Sequence, residues 1–262
     1  MKKIFLVLVL ALTASAAYAW DKRSDEGVMV LASKYLSAEA KAVVDKHLGS
    51  DYFDDVHYLY TLEEKKTAKH TQEIHFLHLG MNLRPLAVEG DDALVALEQA
   101  VAVLRNHKSH NSNEITKALR VTINLMCDIH NLANVRIQNI PHSQKDYTFL
   151  CYAGDTGKRK TTSKLKYSRL WYSYPAWHNG FSGALWAEDI EVCLGAHRAE
   201  LSAGTLQDWA LQIGMRAAKM YRKITPEYVM TRRERNELEM VNYEMMARAG
   251  YRLAALLNEN IK

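Results

Sequence analysis

The chain is poor in the residues that interrupt helices. Only 4 prolines and 12 glycines occur among 262 residues, which excludes collagen-like and low-complexity chains and leans the reading towards helix. Cysteine is scarce as well, and three of them cannot build a disulfide framework. Charge of one sign is not in large excess: 34 basic against 30 acidic residues give +4. That balance permits weak attraction to phosphates and does not require it. Beyond the opening segment, no apolar run is long enough to span a bilayer. What is present is globular composition, 48% hydrophobic and 24% charged, in a chain long enough to bury a full core.

The opening segment reads as an address rather than as structure. Lys2 and Lys3 precede an apolar run from Ile4 to Leu12, and small residues lead to Ala17-Tyr18-Ala19. This is the charged, apolar and small-residue order of a secretory signal peptide over residues 1–19. Cleavage between Ala19 and Trp20 predicts a secreted or periplasmic chain that begins at Trp20. No cysteine stands at the cleavage point for lipidation, so a protein without a membrane anchor is expected. In an oxidising compartment Cys151 and Cys193 could pair, whereas Cys127, inside a predicted helix, reads as a small buried hydrophobe.

Residues 20–262 read as one helical domain, since neither an internal repeat nor a separating linker is visible. Helical spacing predicts helices over residues 24–36 and 37–49, the second capped by Ser37 and stopped by Gly49. Asp91 and Asp92 open another, with Leu94, Leu97, Val101 and Leu104 on one face. Ser112 or Asn113 starts a helix through Ile115, Leu119, Ile123 and Met126, and Thr205 caps one through Trp209 and Ile213. The last helix is predicted over residues 226–257, with Leu238, Val241, Met245, Ala249 and Leu253 facing inward. Residues 134–204 differ. They hold Pro141, Gly154, Gly157, Pro175, Gly180 and Gly183, the basic run Lys158-Arg159-Lys160, and interleaved aromatics including Tyr147, Tyr152, Tyr167, Trp171, Tyr174 and Trp177. This stretch reads as an irregular insert across a helical bundle. Its basic and aromatic residues suit a nucleic-acid backbone with stacked bases, or equally a solvated loop over packed rings.

Four features recur in order: Trp20 at the cleavage point, His75 in Glu73-Ile74-His75-Phe76-Leu77, Asp128 in Asn124-Leu125-Met126-Cys127-Asp128-Ile129-His130, and the terminal Ala249-Gly250-Tyr251-Arg252-Leu253-Ala254-Ala255-Leu256-Leu257-Asn258. Together they resemble the S1/P1 nuclease family, secreted zinc-dependent nucleases whose all-α, multi-helix bundle is shared with zinc-dependent phospholipase C. The resemblance covers essentially the whole chain after residue 19. It implies a three-zinc site in which the amino-terminal Trp supplies its amine and carbonyl. Zinc takes about four N, O or S donors, and neighbouring zinc ions activate a bridging water against a phosphodiester.

Carried over position by position, that site is depleted. Trp20, His75 and Asp128 match donors, and Asp25 stands where the family has a histidine but still offers oxygen. Thr61, in Tyr58-Leu59-Tyr60-Thr61, replaces a metal-binding carboxylate. Asn124 and Asn134 replace two histidines of the Asp128 helix, while Gly183 and Ala187 replace a later histidine and aspartate. The resemblance therefore implies at most one zinc, held by Trp20, Asp25, His75 and Asp128. Phe76 matches an aromatic that stacks a nucleobase.

Each candidate also has a structural reading. His75 suits a hydrogen-bonded core histidine, Phe76 a core aromatic, and Asp25 an exposed or capping residue of the first helix. Asp128, on an inner helix face, needs a partner, which the amine of Trp20 would supply as well as a metal. The expectation is an exported S1/P1 nuclease-like protein, monomeric, with weak or no phosphodiesterase activity. It would retain a cleft for single-stranded nucleic acid, nucleotides or phosphate. The alternatives are an active hydrolase on a reduced metal site, and one that recruits His57, His78, His178 or Asp189 as new donors.

Overall fold

The computed structural model of the protein describes residues 20–49, 73–86, 92–155, 160–172 and 180–262. The segment at residues 1–19, His57, the Tyr58 to Thr61 stretch, Asp91, residues 156–159 with Gly157, Lys158 and Arg159, and Tyr174, Pro175, Trp177 and His178 lie outside the described residues.

The architecture is predominantly helical. In chain order the helices are α1 (Lys22–Ser33), α2 (Ala38–Leu48), α3 (Ala93–Arg105), α4 (Ser112–His130), α5 (Tyr167–Tyr172), α6 (Gly183–Leu194), α7 (Arg198–Ser202), α8 (Leu206–Lys223) and α9 (Arg232–Asn260). The strands are β1 (Leu77–Leu79), β2 (Val135–Ile137), β3 (Thr148–Asp155), β4 (Lys160–Lys166) and β5 (Val229–Met230). Helix starts follow their capping chemistry. Ser37, Asp92, Asn111, Thr205 and Thr231 each accept from a backbone N–H of the first turn. Such a contact satisfies donors that the helix itself leaves unpaired. Asn111, Thr205 and Thr231 also form reciprocal capping boxes with Glu114, Asp208 and Glu234. Gly49 ends α2 at φ 83°, a backbone conformation that suits glycine.

The core sits around two helices. α4 buries its run from Thr122 to His130, and α9 buries most side chains between Asn242 and Leu257. A helix buried on nearly every side must be the centre of a bundle. α3 packs along α4, and α1 packs against both α6 and α9. The α1–α6 crossing is unusually close: a Cβ added at Gly183 would lie 2.6 Å from the Glu26 Cβ, and one at Gly27 would lie 2.6 Å from the Trp186 Cβ. Gly250 lets α9 approach Leu31 of α1 in the same way, at 2.7 Å. No helix among the described residues is long and apolar enough to cross a membrane.

Among the described residues two small sheets accompany the helices, so the all-α expectation holds for the bulk of the fold. β1 and β2 pair in parallel, with Leu77 opposite Val135 and Leu79 opposite Ile137. β3 pairs antiparallel with β4 and parallel with β5. The described part of residues 134–204 is thus regular structure rather than an irregular insert. It is a β-hairpin followed by helices, closed by β5 from the turn before α9. Three aromatics of this region are packed inward with Tyr221 of α8. Tyr167 stacks on Tyr221 at 4.6 Å between ring centres and on Tyr147 at 5.0 Å, and Trp171 is fully buried. Stacking among one another supplies the partners that bases would otherwise supply. The last helix begins later than residue 226, because Thr231 rather than Pro226 holds the cap. Cys151 and Cys193 are both free thiols, the first buried in β3 and the second exposed on α6, so they do not pair. Cys127 is buried as expected.

Candidate functional site

Strand pairing gathers the candidate residues. His75 closes the single 3-10 turn Glu73–His75 before β1, and Asn134 closes another, Leu132–Asn134, before β2. Because Leu77 pairs with Val135, both side chains enter at the same end of the two-stranded ladder. α4 stops at His130, which leaves Asp128 in its last turn, within reach of both.

The contacts are those of a buried carboxylate with an imidazole and an amide. His75 Nδ1 lies 2.8 Å from Asp128 Oδ2, and both side chains are fully buried. Asn134 Nδ2 donates to Asp128 Oδ1 at 3.2 Å. A carboxylate out of water needs such donors, since its burial without them is costly. Asn124 serves the helix instead, donating to the Arg120 carbonyl at 2.9 Å.

α1 brings the other two candidates to the same place. Asp21 caps the helix through the backbone N–H groups of Arg23 and Ser24, and Asp25 follows in the first turn. Burial pushes the Asp25 carboxyl well above its ordinary range, and the charges of Asp128 and Asp21 add to this. Hydrogen bonds from the Trp20 backbone N–H and from Cys127 oppose it. Burial also drives the Cys127 thiol well up, helped by Asp25 and Asp128, so it is an inert thiol. Trp20 is fully buried, and its indole N–H donates to Asn242 Oδ1 at 2.5 Å. Asn242 in turn donates to the Trp171 carbonyl at 2.9 Å. Trp20, Asp25, His75 and Asp128 therefore form one connected buried cluster in which Trp20 is also tied to α9.

The donor chemistry does not fit a three-zinc cluster. Asn124 and Asn134 offer amides spent on other hydrogen bonds. Gly183 has no side chain and seats the α1–α6 crossing, and Ala187 is fully buried without a donor. Among the described residues, no three His, Cys, Asp or Glu side chains are arranged to hold a metal ion. Of the alternative donors, His78 Nδ1 faces Asp92 Oδ2 at 3.1 Å, and Asp189 accepts from the Tyr243 hydroxyl at 2.6 Å. Phe76 is buried, with the Arg136 guanidinium 3.7 Å from its ring centre. One ring face thus already has a cationic partner.

Two functional-looking residues escape a reading by spacing alone. Asn242 sits on the inner stripe of α9 yet anchors Trp20. Arg252 is fully buried amid Ala249, Leu253 and Ala254. A charged residue in so apolar a run was the available signal. A scan against protein-family models and a search of curated proteins each found no match.

Proposed function

We propose that the protein is an exported, monomeric relative of the S1/P1 nucleases whose ancestral metal site has become a closed polar core. In this reading it has weak or no phosphodiesterase activity and keeps a capacity to bind phosphate, nucleotides or single-stranded nucleic acid. The observation that carries the reading is Gly183. At the place where the family supplies a zinc-binding histidine, this chain needs a residue without a Cβ to seat α6 on α1. The lost donor has been replaced by a helix contact rather than by another ligand. The hydrogen bonds of Asp128 to His75 and Asn134 support the same reading, because the carboxylate is occupied by protein groups.

One zinc ion at Trp20, Asp25, His75 and Asp128 is the second reading, favoured by the meeting of these four residues. Elemental analysis of the exported protein separates the two. The closed core predicts substoichiometric zinc and negligible cleavage of single-stranded DNA or RNA with zinc supplied. One zinc per chain, lost on replacing His75, would establish the second reading. Full three-zinc occupancy with turnover would overturn both.

A further inference from the structure

A groove of about 350 Å³ runs between α8 and α9, away from the buried cluster. That volume lies at the lower end of small-molecule sites. Its charged lining is Arg216, Lys219, Glu244, Arg248 and Arg252, four cations against one carboxylate. Glu244 is shared: Arg216 reaches it at 2.6 Å and Arg248 at 2.9 Å. Lys219 is exposed at the rim and makes no ion pair with a described residue. The remaining lining is the polar Gln212 and three apolar residues, with Met215 exposed at one edge and Ile213 and Met245 behind it.

The innermost residue is the informative one. Arg252 is fully buried, yet every partner it contacts is neutral. Its Nε donates to the Leu201 carbonyl at 3.0 Å, one terminal nitrogen donates to His130 Nε2 at 3.1 Å, and the other donates to the side-chain oxygen of Gln212. Since an arginine only donates, His130 accepts at Nε2 and donates from Nδ1 to the Met126 carbonyl at 2.8 Å. Burial and then the charge of Arg248 lower the Arg252 pKa to about 9, with the charge of Glu244 opposing them only in part, and that is still high enough to keep it charged at neutral pH. A buried cation is costly unless an anion compensates it. The single carboxylate of the groove is already divided between Arg216 and Arg248.

We propose that this α8–α9 groove binds a small organic anion, with an oxyanion head held by Lys219, Arg216 and Arg248 above Arg252 and an apolar body against Met215 and Ile213. The proposal gives a place to the phosphate-binding half of the reading above. It uses no residue of the Trp20–Asp128 cluster, so the two can fail separately. Carboxylate and phosphate heads share the required chemistry, and guanidinium pairs suit both.

Calorimetric titration of the full exported protein tests it, with phenyl phosphate, benzoate, inorganic phosphate and benzyl alcohol as probes. Saturable binding of phenyl phosphate or benzoate is expected, with a Kd of roughly 1 mM or below, about tenfold tighter than inorganic phosphate. The tighter of the two ring-bearing anions identifies the head group. Benzyl alcohol, which lacks the charge, is expected not to bind. Lys219→Ala and Arg248→Gln are each expected to weaken binding about three- to tenfold, and raised salt to weaken it further. Lys219 is exposed, so its variant tests the site without a folding burden. No binding of either ring-bearing anion at about 10 mM, or the same affinity in both variants, would overturn the proposal. Equal affinity for inorganic phosphate would remove the apolar half of the site.

Discussion

The Trp20–Asp128 cluster and the α8–α9 groove both rest on α9, yet they treat charge in opposite ways. In the first, a buried carboxylate lies against His75 and Asn134, and both side chains of the His75–Asp128 pair are fully buried. In the second, a buried guanidinium donates only to neutral acceptors, and Lys219 beside it faces outward. The comparison teaches that polar residues in a fold become structure when their partners are supplied from within the chain. They remain available to a ligand when charge of one sign is left in surplus beside solvent.

The largest effect should come from the closed region. Asp128→Ala leaves the ring N–H of His75 and the Asn134 amide buried without their acceptor. A loss of about 3–5 kcal/mol is expected, read by urea denaturation. A loss below about 1 kcal/mol would mean that the cluster is wetter than its burial implies. Next comes the crossing beside it: Gly183→Ala forces a methyl against Glu26 and should cost about 1–3 kcal/mol, seen as a lowered Tm. A neutral result would remove the steric reason for glycine at position 183. The smallest effect belongs to the exposed electrostatics where α8 meets the start of α9. Glu234 is held down to about 2 by the Tyr228 hydroxyl and then by the Thr231 backbone N–H. Because its folded pKa lies below its ordinary 4.5, its contribution is present above that value and disappears as pH falls towards 2. Glu234→Gln should therefore cost about 1 kcal/mol at neutral pH, partly screened by solvent, and nothing near pH 2. A difference that persists at low pH would assign the effect to packing instead.

Much of the local structure was legible beforehand. Ser37, Asp92 and Thr205 cap the helices predicted for them, Gly49 ends one, and Cys127 is buried, because each of these depends on neighbours in sequence. The gathering of Trp20, Asp25, His75 and Asp128 was also foreseeable in outline. Their use was not, since it depends on how the chain turns after α4 to aim Asn134 at Asp128, and on Asn242 arriving from a distant segment. The stretch over residues 134–204 was misread for a related reason. Glycines and prolines mark where a chain turns but not which strand it meets, and β3 finds β5 from beyond α8. Phe76 carried a plausible aromatic signal, and only Arg136, brought over by β2, shows that its ring already has an intramolecular partner.

Composition, helical periodicity and capping residues determined by themselves that this would be a mostly helical chain with its long terminal helix inside. Those are short-range effects of backbone and side-chain chemistry. Which buried polar groups satisfy one another, why position 183 tolerates nothing larger than glycine, and where positive charge is left over were decided only by the tertiary structure. Burial, close approach and charge balance are properties of pairs that the fold brings together.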